Sequence, residues 1–197
     1  VDPRVDHCGV SPASGLLGGD LLGRLERFAA DARVDEDAGR RSRERWLRQQ
    51  SDEEATLHGV LVDLAERMVD VTVHTRASRS HHGRIRAVGT DFCGLRTTTG
   101  RDVVIAVGVI TSVRTQPREQ PASGDRPLQL ALRLADVLSQ LAAERERVLL
   151  VPAHGGDGIA GELRSLGHDV LVVRLDGAPP GTAYVPLATV GEVALVR

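Results

Sequence analysis

Lysine and asparagine are missing altogether from this chain of 197 residues, so all 25 of its basic residues are arginine. With Ala, Gly and Val abundant, that bias is the mark of GC-rich coding, and an arginine here is not by itself a sign of recognition. Aromatic residues make up only 2% of the sequence, so any core must be assembled from Val, Leu, Ile and Ala. Two cysteines, Cys8 and Cys93, do not make a disulfide framework, and an intracellular, reducing (cytoplasmic) compartment is expected. No apolar run approaches the length of a membrane span. The N-terminal residues lack the basic-then-apolar order of a secretory signal. A formal net charge of -2 excludes bulk attraction to a polyanion, so any nucleic-acid contact needs a local patch.

What the chain does have is a repeat. Residues 66–96 return at a constant offset of 78 as residues 144–174. Gly83-x-Ile85-Arg86-x-Val88-Gly89-x-Asp91-Phe92 comes back as Gly161-x-Leu163-Arg164-x-Leu166-Gly167-x-Asp169-Val170. After an apparent five-residue insertion, Val107-Gly108, Ile110 and Val113-Arg114 match Val190-Gly191, Val193 and Val196-Arg197. A period this long covers a helix and several strands, so the chain carries two copies of one small fold.

The hydropathy pattern divides the sequence further. Residues 1–19, rich in Gly, Pro and Ser, read as a disordered leader, and 20–50 as a helical extension with Leu21, Leu22, Leu25 and Phe28 at helical spacing. Ser51-Asp52-Glu53-Glu54 has the form of a capping box and predicts a helix over 52–68. Five short β-rich runs follow within 51–115, at 69–74, 83–88, 92–97, 102–107 and 109–114. Residues 116–124 have the composition of a linker. The second copy occupies 125–197, with Asp125 as cap and Pro127 in the first turn of a helix over 128–147. Its strands are expected at 148–151, 161–166, 170–175, 183–187 and 193–197. The fold class is therefore α+β, mainly β, each copy being one helix followed by a five-stranded meander.

That layout, and the run from Gly83 to Leu95 in particular, resembles the first motif of Sm-like proteins: a Gly-x-apolar strand, a turn with an acidic residue, and an apolar third strand. Val109-Ile110-Thr111-Ser112-Val113 resembles the closing strand of the same family. The resemblance implies two tandem Sm-like (SH3-like) five-stranded barrels, spanning roughly 66–114 and 144–197. It also implies fourth- and fifth-strand edges free for strand addition, and RNA as the family-level partner. The turns expected to carry the second motif read Val107-Gly108-Val109 and Val190-Gly191-Glu192, without an Ile-Arg-Gly or Lys-His signature. Composition also resembles that of Arg-rich actinobacterial proteins.

The expected function is that of a non-enzymatic binding protein, an RNA-binding regulator of Sm-like type. The alternative is a protein-interaction scaffold assembling through edge strands and amphipathic helices. Candidate partners are thus RNA, another protein or a second copy of the chain, with no membrane, cofactor or metal. Arg40, Arg41, Arg43, Arg45 and Arg48 around Trp46 form the one basic cluster with an aromatic on which a base could stack. Arg84, Arg86 and Arg164 are the further nucleic-acid candidates on the repeated strands. Gly155, Gly156, Asp157 and Gly158, after His154, could cradle a phosphate in an enzyme, but a hairpin turn explains them as well. His74, His81 and His82 flank a predicted hairpin and could converge on a metal, although zinc sites need three or four ligands at fixed spacing. Cys93, among apolar strand residues, reads as a core position rather than a nucleophile.

Overall fold

A computed structural model describes residues 53–128 and 130–196, and before them 39–47, 49, 50 and the isolated positions 23, 26, 28, 33 and 36. The expected leader with Cys8, the apolar positions Leu21, Leu22 and Leu25, Arg48, the Ser51-Asp52 half of the capping box, and Arg197 lie outside the described residues. The chain divides into two units, 1–50 and 51–197. In the first, residues 39–47 are helical, as their composition predicts.

In the second unit, the first helix starts later than the capping box suggests. Thr56 is extended (φ -119, ψ 153) and its hydroxyl accepts the Gly59 N–H at 3.0 Å, so helix α1 runs Leu57–Glu66. Helix α2 is also shorter than expected, Leu134–Ala143 rather than 128–147. Its start is fixed by two carboxylates: Asp136 accepts from the Arg133 N–H at 2.7 Å, and Asp91 of the first copy accepts from the Leu134 N–H at 2.7 Å. Asp125, the expected cap, is instead engaged by the Ser123 hydroxyl. Both helices are followed by a non-glycine residue at positive φ, Met68 (53) and Arg145 (55), which marks them as copies of one motif.

The ten strands are β1 Asp70–Thr75, β2 Ser80–Val88, β3 Phe92–Thr97, β4 Asp102–Ala106, β5 Ile110–Thr115, β6 Arg147–Pro152, β7 Ile159–Leu166, β8 Val170–Leu175, β9 Thr182–Pro186 and β10 Val190–Leu195. All ten predicted runs are strands. They form one antiparallel sheet in the order β5-β1-β2-β3-β4-β10-β6-β7-β8-β9. The meander expected in each copy holds only for its first four strands. After a one-turn 3-10 segment, Val107–Val109 or Leu187–Thr189, the fifth strand returns to pair with the first, β5 with β1 and β10 with β6.

Strand positions also correct the repeat register. The helices and β1/β6 correspond at an offset of 77 rather than 78, and β3/β8 at 78. The pairs β4/β9 and β5/β10 and the two 3-10 segments correspond at 80, so the insertion in the β8–β9 turn is two residues, not five. Ile110 therefore matches Val190, and Ser112 matches Glu192. The stretch 190–192, expected from the sequence to be a turn, is strand; the turn equivalent to Val107–Val109 is Leu187–Thr189. Apolar Val-x-Val spacing recurs every few residues in both regions, so the sequence alone permits either register.

Gly83 and Gly161 show why the copies share their bend. A Cβ on Gly83 would lie 2.1 Å from the Arg96 carbonyl oxygen, and one on Gly161 2.2 Å from that of Arg174. Only glycine lets these strands approach so closely. Each copy then closes over its own core: Leu61, Leu64, Val73, Ile85, Cys93, Leu95 and Ile105 in the first, Leu138, Val148, Leu150, Leu163, Leu171 and Val173 in the second.

The linker expected at 116–124 is an ordered strap along α1. The Thr56 N–H donates to the Gly124 carbonyl at 2.9 Å, and the Ser123 N–H to Asp63 at 3.3 Å. Arg67 reaches Asp63, the Gln120 carbonyl and Glu119. Gly59 and Gly124 let the two backbones touch, since a Cβ on Gly59 would fall 1.9 Å from the Gly124 carbonyl oxygen.

Candidate functional site

The two copies meet where β4 of the first pairs with β10 of the second: Val103 faces Ala194, Val104 faces Val193, and Ile105 faces Glu192. Side chains cross the seam as well as the ladder. Phe92, on β3 of the first copy, is buried in the core of the second, with Val104 and Ala106 packed against that core. Ala153 and Ala194 of the second copy pack in return on the first core. Aromatic side chains bury the most apolar surface per residue, so one of only two phenylalanines in the chain is spent on this junction.

Glu192 is the chemically unusual residue of the seam. It is 1% exposed, the only acidic side chain among the largest fully buried ones of the described residues. Its three partners all come from the β1–β2 hairpin of the first copy. The Thr75 hydroxyl donates to Oε1 at 2.5 Å, His81 Nε2 donates to Oε2 at 2.9 Å, and the Arg79 guanidinium lies 3.2 Å from Oε2. Burial alone would raise the Glu192 carboxyl. The hydrogen bonds from His81 and Thr75, helped by the charges of His81 and Arg79, outweigh it and hold the carboxyl below its ordinary value. A buried carboxylate is tolerable only when partnered in this way.

Beside this cluster the seam opens into a cavity of about 260 Å³. One wall is apolar, from Val103, Leu149, Val151 and Ala194. The other consists of the two hairpin turns of the first copy, with Ser80, His81 and His82 from one and residues 97–99 with Arg101 from the other. A second hollow of about 160 Å³, also lined by Arg101, Leu149 and Ala194, continues along the seam.

The residues singled out from sequence are scattered by comparison. Arg40, Arg41, Arg43, Arg45 and Trp46 are all exposed on one short helical stretch, Trp46 at 62%. Arg43 and Arg45 donate back to the carbonyls of Gly39 and Arg41, one turn earlier. Arg84 forms a two-pronged pair with Asp70, at 2.8 and 3.1 Å, which lowers the Asp70 carboxyl through hydrogen bonding. Arg86 and Arg164 occupy equivalent β-bulges, between Ile85 and Ala87 and between Leu163 and Ser165. Arg164 is drawn to Glu162 at 3.3 Å, whereas Arg86 lies exposed beside a cleft with Val62 and Leu130.

Gly155 (φ 83) and Gly156 (φ 113) form the turn of an antiparallel hairpin between β6 and β7. The Gly155 N–H is already donated to the Pro152 carbonyl at 3.1 Å. Residues 148–175 contain no crossover helix, so 154–158 does not lead into a helix N-terminus of the kind that cradles phosphate. His74, His81 and His82, weighed above as a metal candidate, are not brought together: among the described residues no group of three or more His, Cys, Asp or Glu could hold a metal. Alternation along β1 and β2 accounts for this, with His81 turned to Glu192 and His82 Nδ1 to the Thr72 hydroxyl at 2.8 Å. Cys93 is fully buried, and burial pushes its thiol up to about 12, far from a nucleophile's range.

Sequence reasoning passed over Thr75, Arg79 and Glu192. A signal existed: Glu192 is the one charge in the apolar strand Val190–Leu195. No helix among the described residues is long and apolar enough to cross a membrane. Set against protein-family models, curated proteins and solved structures, the chain finds no match in any of the three.

Proposed function

We propose that this chain is a non-enzymatic binding protein built of two tandem Sm-like small barrels, and that it acts as an interaction scaffold through its strand edges and helix faces. The observation that carries this reading is the β4–β10 pairing, by which one copy recruits the other through strand addition. The counterparts of β4 and β10 are β9 and β5, and these are the two outer strands of the sheet. Each outer strand is thus a repeat of one that is already paired. Side chains carry the same imprint. Leu134 is 6% exposed in the second core, whereas its counterpart on α1, Leu57, is 40% exposed. Val104 packs into the seam, whereas its counterpart on β9, Tyr184, is 72% exposed. Unpaired edges flanked by apolar groups invite a further strand, and a second copy of the chain fits both ends.

Light scattering over a concentration series tests the reading on wild type and on Tyr184→Asp, a substitution at an exposed site. Mass rising above the monomer in wild type and held at the monomer in the variant is expected. A wild-type monomer at every concentration sinks assembly through these edges.

RNA binding is the second reading, favoured by the exposure of Trp46 among Arg40, Arg41, Arg43 and Arg45. An electrophoretic shift with single-stranded RNA should weaken steeply with salt, and less steeply after Arg→Ala changes at those four sites. The absence of any shift at low salt removes it.

A further inference from the structure

The cavity on the seam combines features that neither edge assembly nor the Trp46 cluster uses. We propose that it is a binding site for a small phosphate monoester carrying an apolar group. The walls divide the work. Leu149, Val151, Ala194 and Val103 offer an apolar surface, while the facing hairpin turns offer arginine, histidine and hydroxyl side chains. Pockets that hold small molecules pair apolar surface with convergent polar groups, and they favour junctions between folded units.

The one carboxylate in the lining, Glu192, is already satisfied by Thr75, His81 and Arg79 and does not oppose an anion alone. Arg101 is different. It is exposed at the cavity mouth, and its guanidinium makes no hydrogen bond or ion pair among the described residues. His82 also lines the cavity, with its Nδ1 engaged by the Thr72 hydroxyl at 2.8 Å. The turn that carries Arg101 is held in place by hydrogen bonds: the Arg101 N–H donates to the Thr97 hydroxyl at 3.0 Å, and the Thr98 N–H to the His82 carbonyl at 2.9 Å. Ser80, Thr98 and Thr99, each with a hydroxyl, line the same cavity. A tetrahedral dianion accepts from such a set in several directions at once, and a guanidinium paired with phosphate is among the strongest contacts available.

The other arginine-lined hollow lacks this balance. Around Arg145, Arg147 and Arg174, Asp176 and Glu162 are close, with Arg147 held to Asp176 at 2.6 Å and Arg174 to Glu162 at 3.9 Å. Its cations are largely answered from within.

The test is an amide NMR titration of the full chain with phenyl phosphate, inorganic phosphate and benzoate. Phenyl phosphate should saturate at roughly millimolar concentration or below, with shifts centred on residues 80–82, 97–101, 149 and 194. Inorganic phosphate should bind the same place more weakly, for want of the apolar group. Arg101→Ala should weaken phenyl phosphate about tenfold with unchanged thermal stability, and Arg118→Ala, on the strap, should leave affinity as it is. Shifts that stay linear to about 10 mM, shifts centred on Arg145 and Arg174, or an equal loss in both variants overturn the proposal. Benzoate binding as tightly as phenyl phosphate overturns the assignment to phosphate. None of these outcomes depends on whether copies associate through β5 and β9.

Discussion

Thr75 and Glu192 lie 117 residues apart in sequence, yet the Thr75 hydroxyl donates to the Glu192 carboxylate at 2.5 Å in a buried contact. The pair joins the first strand of one copy to the last strand of the other. No equivalent can form inside either copy, because the residue matching Glu192 is Ser112 and the one matching Thr75 on β6 is Pro152. Two copies of one motif have therefore diverged at the surface where they meet, and the divergence makes the junction specific. Phe92 opposite Val170 in the repeat register follows the same pattern, whereas Leu134 and Leu57 keep the residue and differ only in burial.

Acid should loosen the seam through Glu192. Its carboxyl is lower in the folded chain than in the unfolded one. Such a group contributes stability that is complete above the unfolded value, roughly 4.3 for Glu, and that is lost as pH falls through the folded value. Thermal unfolding of wild type should drop between about pH 5 and about pH 3 more steeply than that of Glu192→Gln. Parallel slopes would remove Glu192 from the account.

Phe92→Ala should damage the copy to which Phe92 does not belong. Truncating a buried aromatic leaves a cavity and costs about 3–5 kcal/mol. Because Phe92 is buried with Leu138, Val148 and Val193, hydrogen exchange should quicken in β6, β10 and α2. Loss of protection confined to β2 and β3 contradicts the placement of this side chain.

Much of the fold was legible because each strand carries its own short apolar run, bounded by turn residues. What was lost was the detail that depends on distant partners. The start of α2 is decided by Asp91, which no local rule connects with Leu134. The strap at 116–124 looks like a linker in composition, and its order comes from Asp63, Arg67 and the Gly59–Gly124 approach. The site was harder still. Charge alone makes every strand arginine a candidate, but Arg84 is taken up by Asp70 and Arg164 by Glu162. Arg101, in an ordinary Thr-Thr-Gly-Arg turn, gained its setting only when the second copy supplied the opposite wall.

Asp91 and Asp169 occupy the same place in the repeat but should differ on substitution. Both backbone carbonyls accept from the following 3-10 turn, from Val107 at 2.8 Å and from Leu187 at 2.7 Å. Only the Asp91 carboxylate also caps a helix. Asp91→Ala should lower stability by about 1 kcal/mol, within the range for a lost helix cap, and Asp169→Ala by much less. Equal effects in denaturant titration would mean that the cap on α2 carries no weight.

The two strand glycines offer a comparison that separates steric approach from general intolerance. Gly83→Ala and Gly161→Ala each drive a Cβ into a backbone carbonyl that cannot swing away. Each should cost at least about 1–3 kcal/mol, the range for forced overpacking. A Cβ on Gly108 would meet nothing within 4 Å, and Gly108→Ala should be close to neutral. Tolerance of alanine at 83 would show that the strand can part from Arg96 without loss.

Cys93 supplies a reporter for opening of the first copy. Its side chain is fully buried on β3, between β2 and β4, and burial pushes its thiol up to about 12, so neither access nor thiolate supports reaction in the folded chain. With Cys8→Ser present, so that one thiol remains, a disulfide-exchange reagent at about pH 8 should label the native protein only as fast as the structure opens locally. In denaturant, labelling should be immediate. Combining Phe92→Ala with this assay then asks whether the copies open together. Because β3 carries both residues and β4 holds the seam, loosening the junction should also quicken labelling of Cys93. An unchanged rate beside faster exchange in β6 and β10 would show that the second copy opens alone.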